Sequence, residues 1–419
     1  MSPVRDLAIV GAGPAGLAAA ATAVGLGLDT VLLDEQPGPG GQIYRAIDHS
    51  PLADPDRLGP DYRHGRTLVE ALPDTDYRPE TTVWTVETAV PGPGFEIGTL
   101  YRGRVDFLQA RRLLLASGAQ ERPVPVPGWT LPGVMGAGAG QILLKAAATV
   151  PSGRTVLTGS GPLLYLLAVQ YIDAGVPPVA LLDTTPRAHY LAALPRLPMA
   201  LAAPGLLLKG LALLRRIRRA SVPHIGGVSG LRALGADRLE AVEYRRGGRT
   251  ENLAADLLLL HQGVVPGVQI TRALHCEHDW DPDQRCWRPR LDAWGNSSRD
   301  GLMVAGDGGG IGGARAAEHL GRLAALEAAC RLGRIDPDRR DREAGPEHRA
   351  LRRQLRVRPF LDRLYRPADA FCNPPDETVI CRCEEITAGE LRRVVDLGCP
   401  GPNQAKSFSR CGMGPCQGR

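Results

Sequence analysis

The chain has 419 residues, 43% hydrophobic and 23% charged, enough for two or three domains with buried cores. Its formal charge of +5 comes almost wholly from arginine, since lysine occurs only at 145, 209 and 406. Those basic residues lack the aromatic interleaving of a strand-binding groove, which excludes nucleic acid as the expected partner.

Met1 to Asp6 lead straight into an apolar strand without a secretory signal, so a cytoplasmic setting is expected and disulfide pairing is not. Residues 7–34 then follow the grammar of a dinucleotide fold. Leu7 to Val10 read as a buried strand, Gly11-Ala12-Gly13-Pro14-Ala15-Gly16 as the turn, and the next residues as an Ala-rich helix. In such a turn the first glycine permits the bend, the second lets backbone approach a pyrophosphate, and the third lets helix and strand pack closely. The helix start offers amide donors to phosphate, and an acid at the end of the next strand accepts ribose hydroxyls. Spacing makes Asp34 the first choice for that acid, with Glu35 beside it. Gly41 and Gln42 form a second backbone nest suited to an anionic or ribityl group.

Thr155 to Leu164 repeat the strand and turn, with Gly159 and Gly161 in place and Leu164 where the third glycine would stand. Val179 to Asp183 repeat the second strand and its acid. Leucine at 164 is expected to disturb helix packing, so this fold binds an adenine nucleotide such as ATP in an altered way, or nothing. Leu113–Gly118 and Leu257–Gly263 read as the crossings that leave and re-enter the first fold. The expected boundaries are 1–122, an inserted 123–255, a return over 256–330, a charged linker or surface helix over 331–372, and a terminal module over 373–419. Near the end of the return, Gly306 and Asp307 close a further strand and supply another polar anchor, which suits a flavin better than a nicotinamide alone.

Three uncharged stretches, 7–28, 123–144 and 155–172, reach membrane-spanning length. Gly and Pro break each one, so all three read as buried soluble structure and no transmembrane segment is expected. Leu197 to Leu208, followed by Arg215, Arg216, Arg218 and Arg219, reads as a surface helix, with peripheral contact to a membrane or a partner as the sharper alternative.

Cys381, Cys383, Cys411 and Cys416 close the chain in Cys-Arg-Cys and Cys-Gly-Met-Gly-Pro-Cys. Four thiolates can hold a 2Fe-2S cluster, and a structural zinc is the rival, although a one-residue gap suits zinc less well. Cys276, Cys286, Cys330, Cys372 and Cys399 read as structural, and His275, Cys276, His278 and Cys286 are spaced too irregularly for a favoured second metal site. The nine histidines read as structural or surface residues, and no catalytic acid, base or nucleophile emerges.

Residues 34–45, 276–282 and 305–314 and the terminal cysteine segment give the chain its resemblance to the flavoprotein subunit of heteromeric amino-acid dehydrogenases: opine oxidases, hydroxyproline and proline dehydrogenases, and hydrogen cyanide synthase. The resemblance implies an α/β, disulfide-reductase-like flavoprotein with two dinucleotide-binding domains, the second inserted in the first, plus a small iron–sulfur module. It implies FAD held by Gly11, Gly13, Gly16, Asp34 or Glu35, Gly41, Gln42 and Asp307; Ala15 and Gly306 beside them are further cofactor-binding candidates, and the repeat makes Gly159, Gly161 and Asp183 the candidates at the second nucleotide site. The four terminal cysteines would hold the cluster, and FMN at a subunit interface is a further cofactor to consider. An amino-acid-oxidase-like partner would oxidise the CH–NH bond, with a dye or quinone as final acceptor. Such subunits usually continue past the last cysteine, so the stop at Arg419 is expected to leave the cluster labile. A self-sufficient NAD(P)H-dependent flavin reductase is the second reading, weakened because the first cysteine is Cys276 and no Cys-x-x-Cys pair precedes it. A non-catalytic nucleotide-binding scaffold is the third.

Overall fold

The computed structural model describes residues 3–52, 58–72, 75–89 and 94–415. The first sheet runs 76–78, 30–33, 5–10, 104–115, 95–101 and 81–88, with Leu302–Val304 added against the strand Arg104–Leu115. Arg104–Leu115 is the joint of this sheet. Its early residues pair antiparallel with Phe95–Tyr101, while its last six pair parallel with Arg5–Val10, Ala110 opposite Arg5 and Leu115 opposite Val10. Parallel strands covered on both faces read as continuous apolar runs, and Leu7, Ala8 and Ile9 are fully buried as that requires.

Helices Pro14–Gly25 and Ala314–Arg331 cover one face. They approach through small residues: a Cβ on Gly321 would fall 2.1 Å from the Ala15 carbonyl oxygen. Any side chain there would drive the helices apart, so the contact fixes the end of the chain's return path against the start of the first helix.

The second sheet is wholly parallel, in the order 224–226, 180–183, 155–160, 257–262 and 134–136. Leu257–Gln262 pairs with Thr155–Ser160 throughout its length. The strand placed by sequence in the return to the first fold thus belongs to the inserted one, because its apolar run fills a central sheet position. The crossing back comes just after it: Val264–Pro266 pairs antiparallel with Ala119–Glu121, tying the outgoing and returning chains together.

Residues expected as linker are largely helical. Asp336 caps Pro337–Leu355 by accepting from the Arg339 amide at 2.7 Å. Fully buried Glu327 then receives Arg331 at 2.8 Å and Arg340 at 2.6 Å, clamping this helix to Ala314–Arg331. The shorter helix Arg358–Leu364 packs against Arg187–Ala193 of the inserted fold. Beyond it, Val379–Cys381 and Ile386–Thr387 form a small antiparallel pair, followed by helices Ala388–Asp396 and Pro402–Ser409. Thr387 and Glu390 make a reciprocal capping box at the first of these helices. Among the described residues, no helix is long and apolar enough to cross a membrane.

Candidate functional site

Two glycine turns, one after a parallel strand of each large sheet, present backbone that can meet a nucleotide. At the first, Gly11 has φ +108°, and a Cβ on it would stand 2.4 Å from the Ala116 carbonyl oxygen. Gly16 is tighter still, its imagined Cβ lying 1.8 Å from the Gly11 oxygen. Both glycines are therefore demanded by packing. Gly13 differs. The nearest atom to its imagined Cβ is the Cα of Gly41 at 3.8 Å, and Gly41 itself has φ +60°. The two nests read from sequence thus face each other, held by a Gly40 amide donating to the Ala12 oxygen at 2.8 Å.

The helix after this turn has Pro14 at its first position, no acidic residue in its first turn and no side-chain cap. Its positive end is left for an anion rather than for a residue of this chain. Gly306 comes against Ala15, and the Asp307 carboxylate accepts from the Gly312 and Gly313 amides at 2.8 Å each. Gly11, Gly13, Ala15, Gly16, Gly41 and Gly306 therefore surround one cradle, with Gln42 continuing its second wall.

The acids at the strand end divide their work. Asp34 is 8% exposed and accepts from the Ala12 amide at 2.5 Å and the Gln36 amide at 2.7 Å. Burial pushes its carboxyl up despite those two bonds. This first choice for a ribose acceptor is spent on the shape of the turn, because a carboxylate here satisfies backbone donors that would otherwise be orphaned. Glu35 is exposed at the same strand end, and among the described residues only Gln36 donates to it, at 3.3 Å.

The second turn repeats the backbone and changes the surroundings. Gly159 has φ +142°, with its imagined Cβ 1.7 Å from the His261 oxygen. Helix Pro162–Asp173 forms normally with Leu164 fully buried, so leucine here is a core residue and does not prevent the helix from seating. The acid is closed off. Asp183, 2% exposed, accepts from the Tyr165 hydroxyl at 2.9 Å and the Thr185 amide at 2.8 Å, with His224 Nε2 at 3.4 Å. Burial alone would raise its carboxyl, but bonds from His224, Thr185 and Tyr165 outweigh it and hold the group below its ordinary range. Tyr365, from the chain beyond the first fold, stacks edge-on against Tyr165 with ring centroids 6.4 Å apart.

Under the second turn, buried His261 is hydrogen-bonded through Nδ1 to the Glu121 carboxylate at 2.6 Å, and Glu121 also accepts from the Gly138 amide at 2.9 Å. This pair was not visible in sequence, where its members lie 140 positions apart. Lys145 was missed as well. It is 2% exposed and donates to the Ile43 oxygen at 2.9 Å and the Gln42 oxygen at 3.4 Å, beside the first cradle. A lone lysine within the apolar run 142–148 was the available signal.

In the terminal module, Cys381 Sγ accepts from the Gly412 amide at 3.3 Å. Gly414 lies against Cys383, a Cβ on it falling 2.2 Å from the Cys383 Cβ. The two cysteine turns therefore face one another, while Cys416 lies outside the described residues. Among the described residues, no group of three or more His, Cys, Asp or Glu stands close enough to hold a metal. That covers Cys381, Cys383 and Cys411, which face one another without forming such a group, and also the set His275, Cys276, His278 and Cys286, where His278 instead bonds the Cys276 oxygen at 2.8 Å and Thr271 at 2.9 Å.

A family model described as pyridine nucleotide-disulphide oxidoreductase matches residues 5–321. An opine oxidase subunit from Agrobacterium tumefaciens (strain Ach5) is 47% identical, over 100% of this chain and 84% of its own length. Hydrogen cyanide synthase subunit HcnB of Pseudomonas protegens is 32% identical, covering 98% of this chain and 89% of its own. Among solved structures, L-proline dehydrogenase from P. horikoshii aligns with a TM-score of 0.67 and 18% identity, over 99% of this chain and 71% of that one, a likeness of fold.

Proposed function

Since this chain belongs to the pyridine nucleotide-disulphide oxidoreductase family, we propose that it is the FAD-binding, electron-transferring subunit of a heteromeric dehydrogenase acting on CH–NH donors of the opine, proline, hydroxyproline or glycine type. The observation that carries this reading is the contrast between the two strand ends: exposed Glu35 follows buried Asp34 at the first, whereas Asp183 at the second is bonded internally and is followed by buried Thr184 and Thr185. The names of the relatives, subunits of opine oxidase and hydrogen cyanide synthase, support a division of labour with a partner that oxidises the amine.

FAD bound in the first cradle supplies a two-electron acceptor that can release electrons singly. This chain's part is to bind and orient it. Backbone at Gly13 and the uncapped helix start take the pyrophosphate, Glu35 takes the ribose hydroxyls, and Gly41, Gln42 and Asp307 line the ribityl path. Asp34 stays behind the turn and holds its shape. The internal bonding of Asp183 leaves no free ribose acceptor in the second fold, which argues against reduction by NAD(P)H and against tight ATP binding there. FMN is assigned to no residue of this chain.

Cys381, Cys383, Cys411 and Cys416 would hold a 2Fe-2S cluster in this reading, which rests on their spacing, on the facing cysteine turns and on a Gly412 amide directed at Cys381 sulfur, and it requires the described cysteines to draw closer than they stand. Such a cluster would supply a one-electron outlet toward a quinone-like acceptor. Anaerobic copurification with an amino-acid-oxidase-like partner, followed by reduction with candidate amino acids and with NADH, tests the whole proposal. Flavin bleaching by an opine or imino acid only when the partner is present is the expected result. Rapid bleaching of the isolated chain by stoichiometric NADH would overturn it, and stoichiometric zinc without iron would remove the cluster.

A further inference from the structure

Lys145 is a cation placed where a cation is costly. It sits in the last turn of helix Ala137–Ala147, in the inserted fold, and reaches across to the loop that follows Gly41. Its Nζ donates to the Ile43 oxygen at 2.9 Å, to the Gln141 Oε1 at 3.0 Å and, at the long end of the range, to the Gln42 oxygen at 3.4 Å. Gln141 passes the network on, donating to Gln170 at 2.9 Å in the helix that opens at the second glycine turn. Among the described residues, no carboxylate bonds to the ammonium. The charged group facing it is Arg45, of the same loop as Ile43, and helix Pro60–Glu70 contributes the ring of Tyr62, 5.7 Å from Nζ. Its own helix and helix Pro162–Asp173 present the neutral amides of Gln141 and Gln170.

Three acceptors call for three hydrogens, and only the protonated amine carries three while keeping its charge on the carbonyl dipoles. A neutral leucine or methionine would pack this spot at lower desolvation cost, so the cation asks for a role. We propose that Lys145 is a positioning residue for the flavin: its ammonium fixes the Gln42 and Ile43 carbonyls, and thereby the Gly41 nest, from the neighbouring domain. The inference rests on the first cradle being the FAD site.

Burial, followed by the nearby Arg45, lowers the amine from 10.5 to about 7 in the ligand-free chain. A dianionic pyrophosphate arriving on the adjoining wall favours the charged form and raises it again. The sign follows from linkage. Affinity for FAD is at its full value below the ligand-free value and falls as pH rises through about 7, where binding must take up a proton.

The test is FAD affinity of the whole chain, read by flavin fluorescence from pH 6 to 9, for wild type, Lys145→Met and Gln141→Leu, with far-UV circular dichroism of the ligand-free forms. Wild-type affinity should fall by about tenfold over this range. Lys145→Met should bind about tenfold more weakly at the acid end and show a flat profile. Gln141→Leu should keep the slope with a smaller loss. A folded Lys145→Met protein with wild-type affinity and slope would overturn the inference, and so would a flat wild-type profile if the methionine variant does not fold. A wild-type chain that takes up no FAD at any pH would instead overturn the flavin site itself, and this inference with it.

Discussion

The two glycine turns share a strand, a bend, a proline-started helix and a terminal acid, and they end in opposite states. At Gly11–Gly16 the buried acid turns inward to the Ala12 amide and leaves an exposed neighbour, Glu35, at the rim. At Gly159–Leu164 the acid is met by Tyr165, Thr185 and His224, and Tyr365 closes over Tyr165 from outside the fold. A dinucleotide fingerprint thus describes how backbone bends. Whether a ligand can use the bend is set by what the rest of the chain brings to its acid.

The largest expected break in this comparison is at the middle glycines. Gly13→Leu should fold, because an added Cβ meets nothing nearer than the Gly41 Cα at 3.8 Å, yet the larger side chain should occupy the cradle and abolish flavin absorbance. Gly161→Leu, equally open but with φ +108°, should lose some stability and keep its flavin. Retention of full flavin by Gly13→Leu would show that the cradle lies elsewhere.

A smaller effect separates the acids. Glu35→Ala should weaken FAD by about tenfold, the loss of one or two hydrogen bonds to ribose, without shifting the thermal midpoint. Asp183→Asn should do the reverse, leaving flavin binding intact and costing about 1–3 kcal/mol of stability through its buried partners. Titration against FAD and thermal unfolding of both variants would expose any exchange of these roles.

The finest distinction is the sign of a pH effect. The Asp183 carboxyl is held below 3.8, so its stabilisation is present above that pH and disappears as the solution is acidified through the folded-state value. The Asp34 carboxyl is raised above 3.8, so its contribution is greatest in acid and declines as pH rises through the raised value. Urea unfolding of wild type, Asp34→Asn and Asp183→Asn from pH 3 to 7 should therefore give difference curves of opposite slope. Parallel curves would mean that the two acids share one environment.

The terminal module shows a similar limit. Thr387 and Glu390 announce their helix by spacing alone, since a capping box is closed within four residues. The approach of Gly412 and Gly414 to Cys381 and Cys383 joins two turns about thirty positions apart, and only chain packing brings that about.

Sequence made legible the strand, glycine turn and helix at 7–34 and at 155–173 and the acids that follow them, because such a turn and helix start are set by residues a few positions apart, and it did not reveal helix Pro60–Glu70. It misplaced Leu257–Gln262, whose apolar pattern suits a central strand of either sheet until pairing with Thr155–Ser160 decides. It chose Asp34 over Glu35 because spacing does not reveal which carboxylate the Ala12 and Gln36 amides will claim. Tertiary structure alone decided that Asp183 is closed, that Glu121 meets His261, and that Lys145 crosses from one fold to hold the loop of the other. The physical reason is common to all three. A buried polar group must find partners wherever packing supplies them, and here Tyr165 comes to Asp183 from 18 residues away, Ile43 to Lys145 from 102 and His261 to Glu121 from 140.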